Sequence, residues 1–298
     1  MTDTTGTPTP LLTPTPAKIP LDVGKVISDT FSIYFKTLPV FFALVFLPYF
    51  LLDLGMNQYI QPLFLGGNFD IGSMILPIAV AMVLFILAFV LIQAILIHIA
   101  ISVKVGQGVA FGRAVQAAFR SFFPIVGISL MFMLAVAPLY AGLIWLFFSN
   151  PDLLGWLFLI VPLFIVGAFY AAAMLYVFMP AIVFENAGFS ALGRSLQLTR
   201  GYRGAIIGQM LLLALIVAVI SGILAMIVGG IMLGAMVGSF DTIAANGQIS
   251  FPWWYSLFNA AVNALSMPLS LIPPAIVYAR LKQIKEGGET GDLLKVFE

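Results

Sequence analysis

Apolar stretches of 20 residues and more recur along this chain, separated by short polar segments. A run of that length crosses the hydrocarbon of a bilayer as a helix, and water-soluble helices do not sustain it. Crossings are expected at about 38–54, 71–103, 123–148, 153–184, 205–240 and 252–279. The expected fold class is therefore an all-α polytopic membrane protein with six transmembrane helices. Composition agrees, because only 8% of the 298 residues are charged. A soluble domain carries about 25%.

The polar segments order the rest. Residues 1–20 are rich in Thr and Pro without periodicity and are expected to form a disordered tail. They show no basic stretch followed by an apolar core, so no signal peptide is expected. Asp22 is the expected N-cap of the first helix. Within 23–36, Val23, Ile27, Thr30 and Tyr34 share one face, while Lys25, Ser28, Asp29, Ser32 and Lys36 share the other. Within 104–122, Phe111, Val115, Ala118, Phe119 and Phe122 oppose Arg113, Gln116 and Arg120. Such amphipathic segments are expected to lie in the membrane interface. In 205–240, the pair Gly229–Gly230 is read as a possible end of the spanning part. The small residues Ala214, Ala218, Gly222, Gly230, Gly234 and Gly238 are read as a close helix-packing face.

All 13 Lys and Arg lie in the N-terminal segment, near 104–120 and 194–203, and in the C-terminal tail. The remaining loops carry Asp53, Asp70, Asp152 and Asp241, which are read as solvated, and no Lys or Arg. The positive-inside rule then places both termini and both basic loops in the cytoplasm. Trp145, Trp156, Trp253 and Trp254 flank the acidic loops as an outer aromatic belt.

Shifting the chain by 81 residues lays Ala100–Ile101 on Ala181–Ile182, and Gly112, Arg113 and Gln116 on Gly193, Arg194 and Gln197. Gly127 then meets Gly208, and PAIVF at 180–184 returns as PAIVY at 274–278. Three hairpin repeats follow, each preceded by a cytoplasmic interfacial amphipathic helix: about 21–103, 104–184 and 185–285. Together 21–285 form one membrane domain, and 286–298 form a cytoplasmic tail.

The stretch 180–204 holds four charged residues, Glu185, Arg194, Arg200 and Arg203, between two long apolar runs. Its Glu185, Gly188, Ala191–Leu192, Arg194–Ser195, Leu198–Thr199 and Gly201 resemble the pattern of the membrane domain found in some glycerophosphoryl diester phosphodiesterases and in YciC-like bacterial membrane proteins. Tyr278, Arg280–Leu281 and Glu286–Gly287 near the C-terminus are also similar. The resemblance runs over about 21–290. It implies a multi-pass protein of the bacterial inner membrane, with the family's catalytic barrel a separate domain that nothing in this chain resembles.

Glu185 with Arg113, Arg194, Arg200 and Arg203 are the candidate residues for helix docking or for anionic lipid headgroups. Ser256, Asn259, Asn263, Ser266 and Ser270 step by three and four residues along the last crossing. This polar stripe serves as interhelical hydrogen-bonding glue or lines a polar path. His98 is read as a hydrogen-bonded interhelical residue. No cysteine is present, and one histidine cannot make a histidine-rich metal site. No phosphate-binding loop, zinc helix or nucleophile triad occurs. No cofactor, metal or catalytic residue is expected, and a net charge of +1 points away from nucleic acid. The expected partner is the bilayer, with anionic lipid in particular, and oligomeric state is left open. The expected function is a non-catalytic, membrane-organising, lipid-associated or accessory role. The alternative is a small-solute or lipid transporter with its path along the sixth crossing.

Overall fold

A computed structural model describes residues 19–56, 71–149, 155, 157–238 and 253–287. The expected tail at 1–18, the loops holding Asp70, Asp152 and Asp241, Trp156, and residues 288–298 lie outside the described residues. Among the described residues no strand occurs, and six helical segments are long and apolar enough to cross a membrane. The chain is thus an all-α, multi-pass membrane protein.

Helix α1 spans Val23–Gly55, and Asp22 caps it by accepting the Lys25 N–H at 3.0 Å. The expected interfacial helix and first crossing are one continuous helix. Its buried face (Val26, Thr30, Ile33, Tyr34, Thr37, Phe41 and Val45) runs through both parts without a phase change, so nothing forces a bend. Thr30 and Thr37 return their hydroxyls to the carbonyls one turn back, Val26 and Ile33, at 2.7 Å each. Asp29, expected on the solvated face, is half-buried. Asp53 lies in the last turn of α1 rather than in a loop.

Helix α2, Ile71–Lys104, ends in the densest part of the molecule. Every residue from Ile92 to Ser102 is buried, the pattern of a helix surrounded on all sides by protein. A turn with Gly106 and Gly108 leads to α3, Phe111–Ser149, again one helix where two were expected. Its inner face is Ala114, Ala117, Ala118 and Ser121, while Phe111 and Phe119 are exposed. The small side chains admit close approach to protein, and the large aromatics are left for lipid.

The fourth crossing is broken where a single helix was expected. Helix α4, Leu157–Met174, stops, and α5 begins at Phe178 and runs to Glu185. Pro180 lacks the N–H that would bond back across this junction, which favours a break there. A 3₁₀ turn, Gly188–Ser190, leads to α6, Ala191–Thr199, the one amphipathic element separate from its crossing. Gly201 at φ 88° ends it in a conformation few other residues adopt. Helix α7, Arg203–Gly238, continues past Gly229–Gly230 and does not end there. Ala214, Ala218 and Gly230 are exposed, and nothing lies within 4 Å of a methyl added at Gly222, so these four are not a packing face within this chain; the surroundings of Gly234 and Gly238 lie outside what is described. Helix α8, Trp253–Glu286, carries Pro268, Pro273 and Pro274 and packs against α1, α2, α5, α6 and α7.

The core sits where α2, α5 and α8 meet. Pro180–Phe184, with the first PAIV segment, and Ala275–Ala279, with all of the second but Pro274, are buried there beside Ile97–Ile101. His98 stacks on Phe184 with centroids 5.6 Å apart, and Phe184 stacks on Tyr278 at 6.2 Å. This three-ring column leads to the charged end of the bundle.

Candidate functional site

Glu185 is the last residue of α5, and Asn186 at φ 52° turns the chain away directly after it. That turn and the 3₁₀ segment bring α6 back alongside. Arg194 grips the carboxylate with two bonds, Nε to Oε2 at 2.7 Å and Nη2 to Oε1 at 2.9 Å. A bidentate fork of this kind fixes orientation as well as charge. From α8, the Tyr278 hydroxyl donates to Oε1 at 2.8 Å, and Lys282 Nζ lies 3.0 Å from the same oxygen. Glu286, one turn further along α8, pairs with the same Arg194 Nη2. Hydrogen bonding to Glu185 raises the Arg194 pKa above its ordinary value, burial opposes this, and Glu286 adds to the rise. Tyr278, Lys282 and Glu286 are spaced by four residues, so one face of α8 supplies all three partners.

A second cluster joins α1, α2 and α8. Asp29 Oδ2 accepts from Arg280 Nη2 at 2.9 Å and lies 3.4 Å from Lys104 Nζ. Lys285 completes the docking by donating to the carbonyls of Gln197 at 2.6 Å and Arg200 at 3.1 Å. A cation at the C-terminus of α6 satisfies carbonyls that end without intrahelical partners and opposes the helix dipole. The last two turns of α8 therefore hold four elements together through charged groups.

The break between α4 and α5 is closed from α6. The Ser195 hydroxyl donates to the Met174 carbonyl at 2.9 Å and accepts the Val177 N–H at 3.3 Å. Thr199 also donates to the Met174 carbonyl, at 3.2 Å. Gln209 on α7 donates to the Tyr176 hydroxyl inside the break at 3.1 Å. A broken helix at membrane depth requires such substitutes, since lipid offers none. Ser195 and Thr199 fall within the charged stretch, but single-sequence reasoning assigned them no role. The signal was the Pro180 junction, whose missing N–H called for outside donors and acceptors.

The other candidates are dispersed. Arg113 and Arg200 are exposed, and Arg200 takes no part in the Glu185 cluster through its side chain. Arg203 opens α7, donates to the Tyr170 hydroxyl at 2.7 Å and lies 5.3 Å from that ring's centroid. Of the stripe, Ser256 is buried, while Asn259 Nδ2 donates to Asp53 Oδ1 at 2.8 Å and ties α8 to α1. Asn263 turns back to the Asn259 carbonyl at 2.8 Å. Ser266 bonds Ser221 of α7 at 2.9 Å, and Ser270 is exposed. His98 is buried, with Nδ1 3.4 Å from the Ser102 hydroxyl on its own helix.

The chemistry of the charged end follows from these distances. Glu185 is engaged by three donors, Arg194 of α6 and Tyr278 and Lys282 of α8, and so links α5 to both of these helices. Among the described residues no group of three His, Asp or Glu is placed to hold a metal. Comparison with protein-family models, with curated proteins and with solved structures gives no match.

Proposed function

We propose that the protein is a non-catalytic, multi-pass protein of the bacterial inner membrane with a membrane-organising or accessory role, and that its basic end faces the cytoplasm and associates with anionic lipid. The carrying observation is the saturation of Glu185, the most plausible acid or base, by Arg194, Tyr278 and Lys282. Arg113 and Arg200 are exposed at the same end, which supports headgroup contact by these two rather than by Arg194. The three-repeat reading is supported by the burial of both PAIV segments, all but Pro274, at the centre of the bundle, next to the end of α2. The ties from Asn259 to Asp53 and from Ser266 to Ser221 favour glue over a path for the α8 stripe.

The test is thermal unfolding of the detergent-purified protein with added phosphatidylglycerol. Anionic lipid raises the melting temperature of the native chain, and Arg113→Gln/Arg200→Gln removes at least half of that rise. No rise in the native chain sinks the lipid-associated reading. Solute flux in liposomes that Asn259→Leu/Asn263→Leu abolishes, with the fold intact, installs transport instead.

A further inference from the structure

A second feature lies at the opposite end of the bundle from the charged clusters. Asp29 and Asp53 are 24 positions apart on one helix, which is about 36 Å of rise. Around Asp53 a cavity of about 600 Å³ opens between α1, α2 and α8. Ligand pockets range over roughly 300–1,000 Å³. Its described walls are largely apolar, with Leu52, Ala81, Leu84 and Phe85, and its described polar groups are Asp53, Asn259, Asn263 and the Tyr49 hydroxyl. The Tyr49 and Phe85 rings meet edge to face at 5.8 Å and give one wall a fixed shape.

The order of these groups along the helices matters. Asp53 is in the last turn of α1 and Asn259 near the start of α8, whereas Leu84 and Asn263 lie one turn or more deeper. The cavity thus has a polar mouth and an apolar depth, the profile of a lipid seated with its head at the interface. Among the described residues lining it, Asp53 is the one that carries a charge. No Lys or Arg lies between residues 37 and 103 or between 204 and 279, so hydrogen bonds such as that from Asn259 share the negative charge without cancelling it. The carbonyl end of α1 adds negative potential at the same place. A carboxylate beside an apolar cleft favours a cationic, hydrogen-bond-donating head.

We propose that this cavity binds a single membrane amphiphile bearing a primary ammonium head, with the ammonium on Asp53 and the chain against Ala81, Leu84 and Phe85. This site differs from the basic end in both position and sign of charge.

The experiment follows thermal unfolding of the full chain in a maltoside detergent, with three probes at matched concentration. Lysophosphatidylethanolamine carries the ammonium and a chain. Lysophosphatidylcholine has the same chain but no N–H. Free ethanolamine has the ammonium without the chain. The expected order is a clear rise with the first, an apparent affinity about tenfold weaker for the second, and no rise with ethanolamine. Asp53→Asn still accepts from Asn259, keeps the melting temperature without additive, and reduces the lysophosphatidylethanolamine response to the choline level. Ala81→Phe fills the cavity and abolishes both lipid responses, while Arg113→Gln/Arg200→Gln leaves them unchanged. Equal response to the two lipids in the native chain, a response to ethanolamine alone, or an Asp53→Asn chain that still prefers the ammonium lipid overturns the proposal. Asp53→Asn carries the test if Ala81→Phe does not fold.

Discussion

A helix interrupted inside a membrane leaves a carbonyl and an N–H that hydrocarbon cannot satisfy. At the α4–α5 junction one hydroxyl answers both, accepting from Val177 and donating to Met174. Ser195→Ala removes both partners at a fully buried position, while Thr199 still reaches the Met174 carbonyl. The expected loss is about 1–3 kcal/mol, the cost of a buried polar group left unpaired. Unfolding by denaturant in detergent reads it directly, and Ser28→Ala, at an exposed position on α1, is the neutral control. Glu185→Gln tests the neighbouring cluster. It keeps an acceptor but removes the charge that Arg194 and Lys282 face, at a site about four-fifths shielded on the carboxylate side. Partial exposure of Arg194 screens the loss, so about 1–2 kcal/mol is expected. A melting temperature unchanged in Glu185→Gln means that the cluster does not hold α5, α6 and α8 together. The Glu185–Arg194 pair is local enough to read from nine residues of sequence. Tyr278, Lys282 and Glu286 lie more than ninety residues away, and no periodicity links them to Glu185.

At the scale of elements, hydropathy gives the number of crossings and misplaces their joints. Amphipathic 23–36 and 104–122 look like separate interfacial helices because their polar faces end where the apolar runs begin. In three dimensions the buried face continues in phase, so α1 and α3 are unbroken. The reverse holds for 153–184, which is uniformly apolar and nevertheless broken before Pro180. A transfer scale registers neither phase nor a missing N–H. The glycine pair related by the 81-residue shift separates position from environment. A methyl at Gly127 on α3 meets the Phe189 ring at 2.8 Å, whereas at Gly208 on α7 nothing lies within 4 Å. Gly208→Ala is expected to stabilise the protein by about 0.5–1 kcal/mol through helix propensity. Gly127→Ala gains less, because the tip of the exposed Phe189 ring must shift away from α3. Melting temperatures of the two variants side by side check this, and equal gains show that Phe189 does not pack there.

For the whole molecule, every described ion pair clusters at one end, and Asp53 with the exposed Trp145 and Trp253 marks the other. The separation of Asp29 and Asp53, about 36 Å of helix, exceeds a hydrocarbon core of about 30 Å. The two ends therefore face opposite interfaces, and orientation reduces to one binary question. Lys and Arg near the ends of crossings are retained on the cytoplasmic side, and every described one belongs to the end with Asp29. The chain has no cysteine, so single cysteines report position without background. Arg113 and Gln197 are exposed at the charged end, and Met56 and Trp253 are exposed at the other. Arg113→Cys and Gln197→Cys are expected to react with a membrane-impermeant maleimide only after permeabilisation of the cells. Met56→Cys and Trp253→Cys are expected to react in intact cells. The reverse pattern inverts the protein and moves the arginines away from the anionic cytoplasmic leaflet. It also carries the Asp53 cavity to the inner face, where an ammonium lipid would enter from the cytoplasmic leaflet. Labelling of all four positions from one side contradicts the spanning arrangement itself.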